Sequence, residues 1–207
     1  MIRRVLNFII VWLPATTAWY IAPPKVANEW TGLSKLIVDT FDAPKEDASA
    51  VDKAAWFLFK KEATERATYQ QYVSTARKMR GTKYSVLLAK EAGKVVGMVE
   101  VGINSGDKGE KRPTIGLICV AEGFRQKGVG ADLVQRCERL VVDVWKDHKL
   151  FAEVEETNEQ ALQFFESLGF EMLNDKRVMV NLRRGLQLEE RPHILLTRTL
   201  APANDPQ

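Results

Sequence analysis

The run Arg125-Gln126-Lys127-Gly128-Val129-Gly130-Ala131 is the stretch of this chain whose residue types and spacing are best suited to chemistry. Glycines at 128 and 130 let backbone approach a ligand closely, and the first N–H groups of a helix beginning here point at whatever lies in front of it. Helix dipole and unpaired donors together attract an anion such as phosphate, and Arg125 and Lys127 add positive potential. An ordinary strand-to-helix turn that needs glycine for packing has the same local sequence, so Gly-x-Gly alone leaves both readings open. Other chemistries find less support. Cys119 and Cys137 cannot build a disulfide scaffold, and with His148 and His193 as the only histidines no Cys/His zinc spacing exists. No metal is expected.

The elements that must position this loop follow from periodicity. Ile118-Cys119-Val120 closes a strand over Pro113 to Val120, and Val129, Leu133, Cys137, Leu140, Val141, Val144 and Trp145 recur every three or four residues as an amphipathic helix. Upstream, Trp30, Leu33, Leu36, Ile37 and Phe41 predict a helix over 28–41, and a second helix is expected from Val51 to Arg80. Lys83 to Lys90 and Lys94 to Ile103 read as strands joined by Glu91-Ala92-Gly93, a loop suited to a hairpin. Downstream come a short strand over Leu150 to Glu155 and a helix over Thr157 to Leu168. Thr157 and Gln160 are its expected capping box and Gly169 its C-terminal cap. Phe170 to Leu173 and His193 to Leu200 read as two closing strands with a looped or partly helical connection between them.

Composition sets the class. At 207 residues the chain has room for one domain of the usual ~100–200 residues. Its 45% hydrophobic and 28% charged content excludes a polytopic membrane protein and a largely disordered chain. A net charge of +3 is too small to argue for a nucleic-acid partner, and none is expected. Residues 1–24 stand apart. Ile2-Arg3-Arg4 precedes an apolar run from Val5, and Thr16-Thr17-Ala18 offers small residues for cleavage after Ala18, the pattern of a targeting signal. The same residues, 5–22, read alternatively as a short membrane anchor or an amphipathic terminal helix, with Pro23-Pro24 ending the segment. The folded domain is expected over 25–200, with 201–207 a disordered tail.

The loop at 125–131 resembles the Arg/Gln-x-x-Gly-x-Gly/Ala signature of the GNAT family of N-acetyltransferases. Asn158-Glu159-Gln160-Ala161-Leu162-Gln163-Phe164-Phe165-Glu166-Ser167-Leu168-Gly169-Phe170 resembles that family's second motif, an Asn-x-x-Ala helix ending in Gly-Phe. Glu122 stands where a proline is common. The resemblance implies an α+β, GNAT-like acyl-CoA N-acyltransferase fold: a mixed, mostly antiparallel sheet of about six to seven strands flanked by about four helices. It also implies an acetyl-CoA site. The pyrophosphate would lie on the backbone of Arg125, Gln126, Lys127, Gly128, Val129, Gly130 and Ala131. The pantetheine arm would pair with the strand around Ile118, Cys119 and Val120, entering through a V-shaped opening between the fourth and fifth strands. Asn158, Ala161 and Phe165 would complete the contacts, Asn158 serving equally well as a helix cap.

Around Phe151-Ala152-Glu153-Val154 the chain is most similar to ribosomal-protein N-terminal acetyltransferases, and the resemblance places Glu153 at their general base, where a carboxylate can take a proton from an amine. As a plain reading, Glu153, Glu155 and Glu156 are solvated strand-end charges. Glu100, between Val99 and Val101, is a second candidate base. Phe165 departs from the family pattern, because the matching position is often a tyrosine that protonates the leaving thiolate. The expected activity is acetyl transfer to a protein or peptide amine, an N-terminus or a lysine. The alternatives are a small-molecule amine acceptor and a non-catalytic acyl-CoA-binding or assembly protein. Ala18-Trp19-Tyr20-Ile21-Ala22-Pro23-Pro24 resembles the signal-to-transit junction of secondary plastids, where acetyl-CoA is made. A plastid is therefore the expected location, with membrane-anchored, secretory or cytoplasmic placement as alternatives.

Overall fold

The computed structural model describes residues 19–25, 27–42, 48–51, 53–54, 56, 58, 60–61, 64–65, 83–105, 110–184 and 187–201. The apolar run up to Ala18, the part 66–80 of the helix expected from Val51 to Arg80, and 202–207 of the expected tail lie outside these residues. The elements appear in the order β1 (Tyr20–Ala22), α1 (Ala27–Ile37), helical residues within 50–65, β2 (Tyr84–Glu91), β3 (Lys94–Ser105), β4 (Lys111–Val120), α2 (Val129–Arg139), β5 (Lys149–Glu155), α3 (Glu159–Ser167), β6 (Glu171–Arg184) and β7 (Gln187–Thr199). The strands form one sheet in the order β1-β2-β3-β4-β5-β7-β6. The fold is thus the expected α+β arrangement. β4 and β5 pair in parallel, while β1 with β2, β5 with β7 and β6 with β7 pair antiparallel.

The backbone groups into two compact units. One contains Leu117–Val134 and the described part of Met1–Glu100; the other contains Val101–Gly116 and Gln135–Gln207. In the first, the β2–β3 connection is Ala92-Gly93 with φ of 47° and 79°. This left-handed pair matches strand twist and makes a tight hairpin, as Glu91-Ala92-Gly93 predicts. Leu33 and Leu36 of α1 cluster with Val86, Leu88, Met98 and Cys119 of the strands, with Trp30, Ile37 and Leu117 at the margin. Each such buried side chain contributes roughly 1.5–3 kcal/mol relative to exposure. The helix predicted over 28–41 is therefore present, and its end widens into a π-helical turn over Val38–Asp42.

The N-terminal edge differs from the expected division at residue 24. Tyr20–Ala22 is a sheet strand, registered Tyr20↔Lys90, Ile21↔Ala89 and Ala22↔Leu88. Ile21 is buried against the core, and Tyr20 lies under the Lys90 ammonium, 5.1 Å from its ring centroid. Lys90 is 2% exposed and forms an ion pair with Glu29 of α1. Among the described residues no helix is long and apolar enough to cross a membrane.

In the second unit, α2 runs out through another π-helical turn, Leu140–Val144, where Trp145 N–H reaches Leu140 O at 3.1 Å. Cys137, Val141, Leu150, Ala152, Leu195 and Leu196 are buried at 1% exposure or less. The connection expected to be looped or partly helical between Leu173 and His193 is instead strand over its described residues. β6 and β7 pair from Arg177↔Ile194 out to Arg184↔Gln187, with a register irregularity between Met172 and Arg177. His193 consequently lies inside β7, opposite Glu155 of β5 and Val178 of β6, and does not start a strand.

Gly97 of β3 sets how closely α2 can approach the sheet. A Cβ there would stand 2.9 Å from Val129 Cγ1 and 3.1 Å from Leu133 Cδ1. Val cannot swing its methyl aside cheaply because its χ1 is stiff. Gly97→Ala should therefore lower unfolding free energy by about 1–3 kcal/mol, as overpacking does. Urea denaturation at unchanged m-value measures it.

Candidate active site

The first unit carries the loop. At the end of β4, Ala121 N–H donates to Val96 O at 2.9 Å, holding the strand end against β3. A single 3₁₀ turn follows, in which Phe124 N–H reaches Ala121 O at 2.8 Å and Arg125 N–H reaches Glu122 O at 3.1 Å. The Arg125 side chain turns back, its Nε donating to Val120 O at 3.1 Å. Gln126 and Gly128 then take left-handed φ of 59° and 91° around Lys127. The α-helical ladder opens with Asp132 N–H donating to Gly128 O at 3.0 Å. The N–H groups of Val129, Gly130 and Ala131 precede that ladder and face the loop. Alternating backbone handedness before a helix start makes a concave array of amides, a nest for an anion.

Burial sorts this loop by role. Val129 is 1% exposed and anchors the helix start, whereas Arg125, Gln126, Lys127 and Gly128 are exposed. A Cβ built on Gly128 would meet nothing within 4 Å, so the backbone is open on that side. Lys127 extends over the Phe124 ring at 5.4 Å. Ile118 and Val120 are half-buried, and Cys119 between them faces the core. Burial pushes the Cys119 thiol up to about 12, while a hydrogen bond with Thr40 and the Arg125 charge pull it down and the Glu100 charge pushes it further up. Glu100 itself is buried in β3.

The second unit carries Glu153, Asn158, Ala161 and Phe165. Glu153 is half-buried on β5, and burial raises its proton affinity above that of an ordinary carboxyl, with His193 and Arg112 each pulling it partly back. Arg112 packs its guanidinium over the Phe151 ring at 5.6 Å and bonds Glu110 Oε2 through NH2 at 2.6 Å. His193 is brought to this cluster by the β5–β7 register, Glu155↔His193. Neither Arg112 nor His193 is distinguishable as a site residue in the sequence, because what joins them to Glu153 is strand register. The Arg112-Pro-Thr114 alternation upstream of Thr114↔Phe151 is the one signal that bears on it.

Asn158 caps α3, its Oδ1 accepting from Ala161 N–H at 3.1 Å. The cap is thus one residue beyond Thr157, whose hydroxyl bonds Glu155 Oε1 at 3.2 Å. At the other end Gly169 has φ of 80°, with Gly169 N–H on Glu166 O at 2.9 Å and Phe170 N–H on Phe165 O at 3.1 Å. This is a Schellman closure, and its hydrophobic contact is the Phe165–Phe170 edge pair with centroids 5.1 Å apart. Phe164 meets Phe165 in a second edge contact at 5.1 Å. Phe165 is buried at 3% exposure.

A mixed seven-stranded sheet whose fourth strand turns through a left-handed loop into a helix start is the acyl-CoA N-acyltransferase architecture. The chain belongs to the acetyltransferase (GNAT) family, whose model matches residues 37–170. Solved structures of the same fold include yncA, a putative acetyltransferase from Salmonella typhimurium described with its cofactor acetyl-CoA. It is 18% identical, with TM-score 0.57 and coverage of 91% of this chain and 98% of that one. Arabidopsis thaliana Naa50, in complex with the bisubstrate analogue CoA-Ac-MVNAL, is 15% identical at TM-score 0.56, covering 89% of this chain and 100% of that one. Ribosomal-protein-alanine N-acetyltransferase from Brucella melitensis is 18% identical at TM-score 0.57, covering 87% and 99% respectively. No curated protein sequence matches the chain. At these identities the structures establish the shared fold.

Gly128→Ala tests the loop directly. A Cβ meets no neighbour but forces strain at the left-handed φ, costing about 1 kcal/mol of stability and shifting the backbone that aims the amides. Calorimetric titration with CoA should show at least about ten-fold weaker binding, a larger loss than the stability change accounts for.

Proposed function

We propose that this chain is an acetyl-CoA-dependent N-acetyltransferase whose acceptor is a protein or peptide amine, either an N-terminal α-amine or a lysine. The observation that carries the reading is Glu153, a half-buried carboxylate with raised proton affinity, flanked by Arg112 and His193. An amine must lose a proton to act as a nucleophile, and a carboxyl whose pKa is raised toward the working pH is the stronger base for that task. The peptide-bearing analogue in the Naa50 structure and the ribosomal-protein acceptor in the Brucella enzyme's name support this acceptor class by likeness of fold.

The chain's residues fit the coenzyme. The amides of Val129, Gly130 and Ala131 offer donors to a diphosphate, beside a backbone that is open at Gly128. The registered β4–β5 pairs, Thr114↔Phe151 and Ile115↔Ala152, lie upstream of Ile118 and Val120, whose backbone would meet the pantetheine arm, with Val120 O already accepting from Arg125 Nε. The Asn158 cap uses Oδ1, which leaves its NH2 group as a donor. The bound coenzyme supplies the acetyl thioester. Glu153 accepts the proton of the attacking amine as the N–C bond forms and the C–S bond breaks. Phe165 has no proton to give, so the departing thiolate takes one from water.

The plastid destination belongs to the same proposal. Cleavage after Ala18 would leave Trp19 first and keep the Tyr20–Ala22 strand whole. Sequencing the mature N-terminus should read Trp19; an intact Met1 overturns this destination.

Glu153→Gln separates catalysis from stability. With a peptide panel and acetyl-CoA, thiol release should fall about 10²–10⁴-fold. CoA bound without release by the unaltered chain would instead support a non-catalytic protein, and release with small amines alone a small-molecule enzyme. The stability effect has the opposite sign. Because the folded pKa is raised above the unfolded value, wild type gains stability relative to the Gln variant as pH falls from neutral through the raised value toward that of an ordinary carboxyl. Urea midpoints of both proteins across that range should show the variant at least as stable at neutral pH.

A further inference from the structure

The indole of Trp19 donates from Nε1 to Asp132 Oδ2 at 2.9 Å, a part-buried bond between residues 113 positions apart. Asp132 is the acidic residue of the first turn of α2, the helix whose opening amides form the anion nest. Trp19 immediately precedes β1, and β1 is held by three ladder positions on β2 and by the Tyr20 ring beneath Lys90. Lys90 is in turn fixed by Glu29 of α1. A short strap thus runs from α1 through β2 and β1 to the first turn of α2, all within one unit.

A carboxylate at this place has two opposed effects. Its charge complements the positive end of the helix dipole. Toward a diphosphate it is an intramolecular competitor, since an acidic side chain in the first turn can reach back toward the N–H groups at the helix start. We propose that Trp19 is a positioning residue for coenzyme binding: its indole N–H holds the Asp132 carboxylate toward β1 and away from the amides of Val129–Ala131, keeping them available to the diphosphate. This rests on the coenzyme reading of the loop and goes beyond it, because the nest motif contains neither residue.

CoA titrations of the full chain and of Trp19→Phe, Asp132→Asn and the double variant test it, with pantetheine, which lacks the diphosphate, as the second probe. Trp19→Phe should raise the Kd for CoA about three- to ten-fold. Asp132→Asn, which removes the charge, should bind CoA at the wild-type level or more tightly, and the double variant should match Asp132→Asn. Pantetheine should bind all four proteins alike. Trp19→Phe equal to wild type, or a double variant as weak as Trp19→Phe alone, overturns the proposal. If Trp19→Phe does not fold, Asp132→Asn still decides: weaker CoA binding means the carboxylate helps, and the proposal fails. Wild-type protein that does not bind CoA overturns the coenzyme reading itself, an outcome distinct from these.

Discussion

The seating of one helix start governs the rest of the first unit. A nest of amides can receive an anion only if the helix behind it is pinned, because a fraying first turn would satisfy its own donors with water. Here the pin is Val129, buried at 1% exposure over Gly97, where the sheet offers no Cβ. Everything immediately upstream is then forced to be irregular. The chain must leave β4, whose end is fixed by Ala121 on Val96 O, and reach Val129 with its amides facing forward. The left-handed Gln126 and Gly128 are the consequence. Glycine serves at 128 because φ of 91° is costly for any other residue; at 126 the chain accepts the strain of a non-glycine residue.

The second unit works by a different rule. Its chemistry comes from register, because β4, β5 and β7 bring together charged residues that are distant in sequence. Glu153 is half-buried beside His193 and Arg112, so its proton affinity is the net result of burial pushing up and two basic neighbours pulling down. Burial is the larger effect. That balance suits a base better than either extreme, since a fully paired carboxylate would be too weak an acceptor and a fully buried one would be neutral.

Turn chemistry and helix punctuation made much of this legible in advance. The Glu91-Ala92-Gly93 hairpin, the loop at 125–131 and the Gly169 closure are all encoded by residues with special backbone preferences, and they occur where those preferences predict. The misses share a cause. β1 is three residues long, too short for any periodicity, and it exists because β2 offers it a backbone edge. The β6–β7 ladder carries a strand signal in Val178, Val180 and Leu182, which alternate with Met179, Asn181 and Arg183, but the basic residues around it and Pro192 within it read as a connection until the pairing is seen. Thr157 and Asn158 are both competent caps, and only the φ and ψ at the helix start choose between them. The Glu153 cluster was half legible: the carboxylate stands out in an apolar strand, while Arg112 and His193 require the register.

The two cysteines bear on how an acyl group would move. Cys119 lies beside the strand residues assigned to the pantetheine arm, and a thiol there would invite a route through a covalent acyl-enzyme. Its surroundings oppose that route. Burial pushes the thiol up to about 12, and the Thr40 hydrogen bond and the Arg125 charge only partly offset it, so at neutral pH it stays protonated. Cys137 is fully buried and shifted further in the same direction. Nucleophilic catalysis needs a thiolate that is both formed and reachable, and these two sulfurs are neither. A half-buried carboxylate beside two basic groups requires no covalent intermediate, only an amine from which to take a proton. The distribution of burial over Cys119, Cys137 and Glu153 therefore favours direct transfer from donor to amine over a two-step exchange through sulfur.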